Sequence, residues 1–205
     1  MIKSLISLKI NVFGFFTLEL GELGIFNFPI IWHLTTFFAS QFKFFFAIVV
    51  VSMIGNEYSN KTIKQNLIDG LSKKEFILSK FYAIVFFSVV STVLITLITL
   101  CIGLYYSSYT EASIVFSEVE FLAAYFVKLV AFFSLCLFFA MLVKRSAFAV
   151  GAIVVWLIGE NMFRGYLFWS FKDAENTTES VNSIMQFLPL EALSNLIKEP
   201  FSRLG

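Results

Sequence analysis

Four ionisable side chains stand in segments that are otherwise almost wholly apolar: Lys43, Lys128, Glu160 and Arg164. In hydrocarbon such a charge costs at least ~2.5–3.5 kcal/mol on insertion scales, so each requires a partner, a water-filled face or an interface. Glu160 and Arg164 are four residues apart, the acid first, so on a helix their side chains can meet and compensate one another. Such a pair either lines a translocation path or sits self-compensated near the outer interface, and the spacing favours the second. Lys43 lies among Phe37, Phe38, Phe42, Phe44, Phe45 and Phe46. It either snorkels to an interface or faces the bundle, toward an anionic substrate group. Lys128 is expected to snorkel.

Other reactive residue types lead nowhere further. His33 is the only histidine and adjoins Trp32 just before an apolar run, where amphipathic rings sit at headgroup level; alone it makes no metal site. Cys101 and Cys136 fall inside apolar runs without a CxxC pair and read as small packing side chains. The sequence has no GxxxxGK[ST] loop, GxSxG, HExxH or cluster of His and acids, so no catalytic residue, cofactor or metal is expected of the chain itself.

Of the 205 residues, 59% are hydrophobic, 19% aromatic and 14% charged, whereas soluble domains run near 45–50% apolar and about 25% charged. Hydrocarbon is therefore the expected solvent. A net charge of +1 and two cysteines exclude a disordered chain, a disulfide scaffold and a nucleic-acid binder.

Apolar runs at about 34–54, 81–106, 121–143 and 147–171 each reach the roughly 20 residues that a helix needs to cross the bilayer. An all-α, polytopic transmembrane bundle in one domain, 1–205, follows. Lys61, Lys64, Lys73, Lys74 and Lys80 lie in the loop between the first two runs, and Lys144 and Arg145 between the last two, whereas 107–120 holds three glutamates and no basic residue. The basic loops are thus expected in the cytoplasm, with the N-terminus and the tail 172–205 outward. Asn and Lys usage with abundant Phe and Ile points to an AT-rich bacterial genome, and so to a multi-pass protein of a bacterial cytoplasmic membrane. No cleavable signal precedes the first run, and both ends read as cut ends.

The loop 56–80 carries the most information. Ile63, Leu67 and Leu71 recur every four residues, predicting a short amphipathic helix that Gly70 ends. Ser72 and Glu75 form a capping box for a second helix that continues into the next span. The result is an elbow able to transmit a push from a soluble partner, or else an ordinary charged loop whose lysines anchor the flanking helices at anionic lipid.

Glu57-Tyr58, then Lys61 to Leu67 (KTIKQNL), then Ser72-Lys73-Lys74-Glu75-Phe76 and Ser79-Lys80, resembles the signature of type-2 ATP-binding-cassette transporter permeases. Lys61 stands where that family usually has Gly, and Asp69-Gly70 replaces a small-residue-Pro turn. The resemblance implies six membrane helices, of which these would be the second to fifth. It implies that Glu57, Tyr58, Thr62, Ile63, Gln65, Leu67, Lys73, Lys74 and Lys80 couple the chain to a cytoplasmic ATPase subunit, and that a second permease half completes an exporter. Ion-pathway roles for Lys43, Glu160 and Arg164 belong equally to the alternatives, a secondary transporter or channel component. A membrane assembly subunit without transport is the third reading.

Overall fold

The structure, a computed structural model, describes residues 9–12, 16–19, 26–107, 111–172, 176–198 and 200, with the backbone alone for the first two stretches and for Leu67. Two short strands, β1 (Lys9–Val12) and β2 (Phe16–Glu19), pair antiparallel with Ile10 opposite Leu18. They are the one departure from an all-helical architecture among the described residues. Their period-two pattern, Lys-Ile-Asn-Val and Phe-Thr-Leu-Glu, is a strand pattern at residue level.

The first span is broken where a continuous helix was expected. Helices α1 (Ile30–Gln41) and α2 (Lys43–Ser59) meet at Phe42 with a bend of 42°. Hydroxyls contribute to the weak point. Thr35, Thr36 and Ser40 on α1 donate back to carbonyls three or four residues earlier, and the Phe42 amide reaches Ala39 O, a tighter three-residue turn. Such back-bonding competes with the helical ladder and bends helices. After a short helix α3 (Thr62–Ile68) come α4 (Lys73–Tyr106), the one-turn α5 (Ala112–Val115), α6 (Glu120–Val143) and α7 (Ser146–Ser170). Helix α4, 34 residues long, spans about 51 Å at ~1.5 Å per residue, well beyond the ~30 Å of a hydrocarbon core.

Helix α6 is the axis of the bundle and packs against α1, α2, α4 and α7. Its Leu129, Phe132, Phe133 and Cys136 are fully buried among Val51 and Ile54 of α2, Ile84 of α4 and Ala149 of α7. Phe87 is set edge-on to both Phe46 and Phe133, at 5.1 and 5.8 Å between centroids, the geometry that aromatic quadrupoles favour. By contrast α4 and α7 bury little and turn apolar side chains outward, among them Phe86, Val93, Val155 and Met162. That surface is inside-out for water and right for lipid.

Several placements differ from expectation. Trp32 and His33 are buried rather than interfacial: the Trp32 indole donates to Val115 O at 2.6 Å, and His33 stacks on Phe121 at 4.3 Å. Cys136 packs as expected, but Cys101 is exposed. Gly151 and Gly159 have nothing within 4 Å of an added Cβ, whereas Gly55 meets Ser146 and Gly103 meets the Phe28 ring. The tail also folds: α8 (Thr177–Met185) and α9 (Pro189–Asn195) return onto the bundle, α8 against α7 and α9 against α6 and α7. The remainder of the expected tail, 173–175, 199 and 201–205, lies outside the described residues.

Candidate functional site

The elbow is built by local chemistry at each corner. Lys61 leaves α2 with φ +57°, α3 follows, and Gly70 with φ +100° closes α3 while the Leu71 amide donates to Asn66 O at 3.0 Å. That six-residue closure around a left-handed residue is a Schellman turn. Ser72 Oγ then accepts from the Glu75 amide at 3.2 Å and Glu75 Oε2 accepts from the Ser72 amide at 2.8 Å, completing the expected capping box. Across the base, Lys80 on α4 makes an ion pair with Glu57 near the end of α2 and lies over the Phe76 ring.

The residues that the resemblance singles out are therefore placed in three ways. Glu57 and Lys80 bind one another and Tyr58 packs against the core, bracing the elbow from within. Thr62, Gln65, Lys73 and Lys74 are exposed, and Ile63 is half-buried. The Leu67 side chain lies outside the described residues. Leu71 is not on the α3 face, because the turn at Gly70 redirects the chain before it; among the described side chains of α3 the exposed apolar one is Ile68.

The positive φ at Lys61 gives a physical reason for a glycine at that corner, since a left-handed backbone costs an L side chain roughly 1–2 kcal/mol. Lys61 already carries that cost, so Lys61→Gly is expected to raise thermal stability in detergent by up to about 1 kcal/mol, whereas Lys61→Val, whose β-branch makes the left-handed region still less accessible, lowers it. A thermal melt of the two variants checks the sign.

At the opposite end of the bundle a second constellation forms. A cavity of about 440 Å³ opens between α1, α2, α6, α7 and α9 and is lined by Lys43, Lys128, Glu160, Arg164, Glu191 and Lys198, with other residues. The bend at Phe42 makes Lys43 the first residue of α2 and sets it at this cavity, 8% exposed, with its Nζ 5.1 Å from the Phe132 ring centroid and 5.3 Å from that of Phe44. Lys128 does not snorkel. It is 2% exposed on α6, and lines the same cavity.

Glu160 and Arg164 both line this cavity but do not pair as their spacing predicted. Arg164 bridges Glu191 of α9. Glu160 accepts from Trp156 Nε1 at 2.6 Å and from the backbone amides of Leu190 and Glu191 at 3.2 and 3.1 Å. The reason is the start of α9: its N-cap is Leu188, which has no side-chain acceptor, and its first residue is Pro189. The orphan amides of that first turn need an acceptor, and Glu160 supplies a carboxylate from another helix, where it also complements the helix dipole. A further tie comes from His33, whose Nε2 donates to Lys198 O at 2.8 Å.

Glu191, Lys198 and the α9 turn are the participants that sequence reasoning missed, and Lys128 was expected at an interface rather than at this cavity. Only Leu188-Pro189, an extended residue before a helix-starting proline, signals them.

Among the described residues, three helices are long and apolar enough to cross a membrane, and the bent pair α1–α2 makes a fourth crossing if taken as one span. With lipid-suited faces on α4 and α7, the chain is a multi-pass membrane protein. It belongs to the family described as "Protein of unknown function (DUF2705)", whose model matches residues 2–197. No curated protein and no solved structure matches the chain.

Proposed function

We propose that this chain is the membrane permease subunit of an ATP-driven exporter, working with a separate ATPase subunit and a second permease half in a bacterial cytoplasmic membrane. The observation that carries the reading is the elbow: a short helix with exposed polar residues, held at both ends by a left-handed corner and at its base by Glu57–Lys80. A helix mounted this stiffly between α2 and α4 moves with them, so force applied to it reaches the bundle without being lost in a flexible loop. In this reading the elbow faces the cytoplasm, Thr62, Gln65, Lys73 and Lys74 meet the ATPase, and ATP-driven closure of two such ATPases rocks the permease halves.

The test is co-purification with a separately encoded ATPase whose activity the permease stimulates. Ile63→Asp is expected to weaken that association about tenfold, the equivalent of ~1.4 kcal/mol, while the variant remains monodisperse. Unchanged association and stimulation would overturn the proposal. The charged cavity favours a second reading, a secondary transporter or channel component, which predicts flux in proteoliposomes under an ion gradient with no ATPase present.

A further inference from the structure

The cavity at the far end of the bundle holds more positive charge than its surroundings use. Its two carboxylates are engaged, Glu191 by Arg164 and Glu160 by Trp156 and the α9 amides. Its basic residues number four, Lys43, Lys128, Arg164 and Lys198, an excess of two positive charges. Lys198 is exposed, so the excess rests on Lys43 and Lys128, both more than nine-tenths buried and neither with a carboxylate partner among the described residues. Ring faces of Phe44 and Phe132 attract Lys43, but a cation–π contact of up to ~2 kcal/mol offsets only part of burying an ammonium. Among the described residues Lys128 has no such face, and Arg164 adds an Nε–H that is buried without an acceptor.

We propose that this cavity is a binding site for a phosphate monoester, its oxygens bridging Lys43 and Lys128, with Arg164 beside them. The charge selects the class. A phosphate monoester carries about −1.5 to −2 at neutral pH and offers three acceptor oxygens, matching two ammonium groups and a guanidinium donor, where a carboxylate brings one charge. A volume of about 440 Å³ lies within the ~300–1,000 Å³ of small-molecule sites. The ester arrives either free in solution or as the headgroup of an anionic lipid. For the second source, Glu160 also borders an apolar cleft of about 500 Å³ lined by Phe139, Val155, Trp156 and Phe163, suited to an acyl chain. The site does not depend on the permease reading.

The experiment uses the full chain, first in detergent with glycerol 3-phosphate and then in phosphatidylcholine nanodiscs with and without phosphatidic acid, reading ligand-induced thermal stabilisation and titrated affinity. At least one probe is expected to raise the midpoint of the wild-type chain, and the arm that responds identifies the source. The double variant Lys43→Met, Lys128→Met is expected to bind that probe at least tenfold more weakly, while its melting point without ligand is unchanged or raised, since two buried charges have been removed. Lys128→Arg is expected to retain binding. No stabilisation of the wild type by either probe overturns the proposal. So does undiminished binding by the double variant, or acetate binding as tightly as glycerol 3-phosphate.

Discussion

Gly55→Val is expected to prevent α2 and α7 from packing and to lower stability by about 3 kcal/mol or more, at or beyond the upper end of the ~1–3 kcal/mol typical of overpacked cores. At Gly55 an added Cβ would lie 2.7 Å from Ser146 Cβ, 2.8 Å from Ser146 N and 3.0 Å from Ser146 Cα. Two of those atoms are backbone at the start of α7, so no rotamer change relieves the clash and one helix must move. Helix propensity works the other way, because any side chain other than proline suits a helix interior better than glycine, but that gain is about 1 kcal/mol at most. The close approach wins. Gly151→Ala, on α7, is the control: it has a larger propensity gain and nothing within 4 Å of the new Cβ, so its melting point is expected to hold or rise. Thermal unfolding and size-exclusion profiles in detergent measure both. A Gly55→Val chain as stable as wild type would show that the α2–α7 contact is looser than described.

Glu160→Ala is expected to release α9 from the bundle while the spans remain folded. Three donors converge on that carboxylate, and hydrogen bonds to charged groups contribute about 1.5–3 kcal/mol each, although not additively. Loss of roughly 3 kcal/mol from docking of a seven-residue helix is enough to open it most of the time. Hydrogen exchange over 189–198 is therefore expected to accelerate by about 100-fold, the equivalent of ~2.7 kcal/mol, with little change in α6. Glu160→Gln keeps one acceptor oxygen but no charge and should fall between. Arg164→Ala removes only the bridge to Glu191 and should have a smaller effect, because the α9 amides keep their acceptor. Exchange at 189–198 unaltered by Glu160→Ala would assign the docking of α9 to apolar contacts such as Leu193 alone.

These two variants also separate what could be read along the chain from what could not. The elbow was legible almost corner by corner. Ser72 with Glu75, and Gly70 two residues earlier, act on backbone groups within one turn of themselves, so their partners are set by sequence spacing. The apolar runs were legible for a related reason, since a long uncharged segment in hydrocarbon has to satisfy its own backbone. The break at Phe42 was not, because hydroxyl-rich stretches bend some helices and leave others straight, and packing decides which. Gly55 and Gly151 look alike in sequence, and only one of them faces another backbone.

The sequence by itself determined a bundle of apolar helices with a capped, basic elbow, because caps, turns and hydrocarbon spans depend on interactions within a few residues. Tertiary structure alone decided that Glu160 serves α9 instead of Arg164, and that Lys43 and Lys128, 85 positions apart, line one cavity. Each side chain on a helix has a fixed place along the axis, but its partner depends on how that helix is rotated and on which segment returns beside it. Those choices belong to the packing of the whole chain.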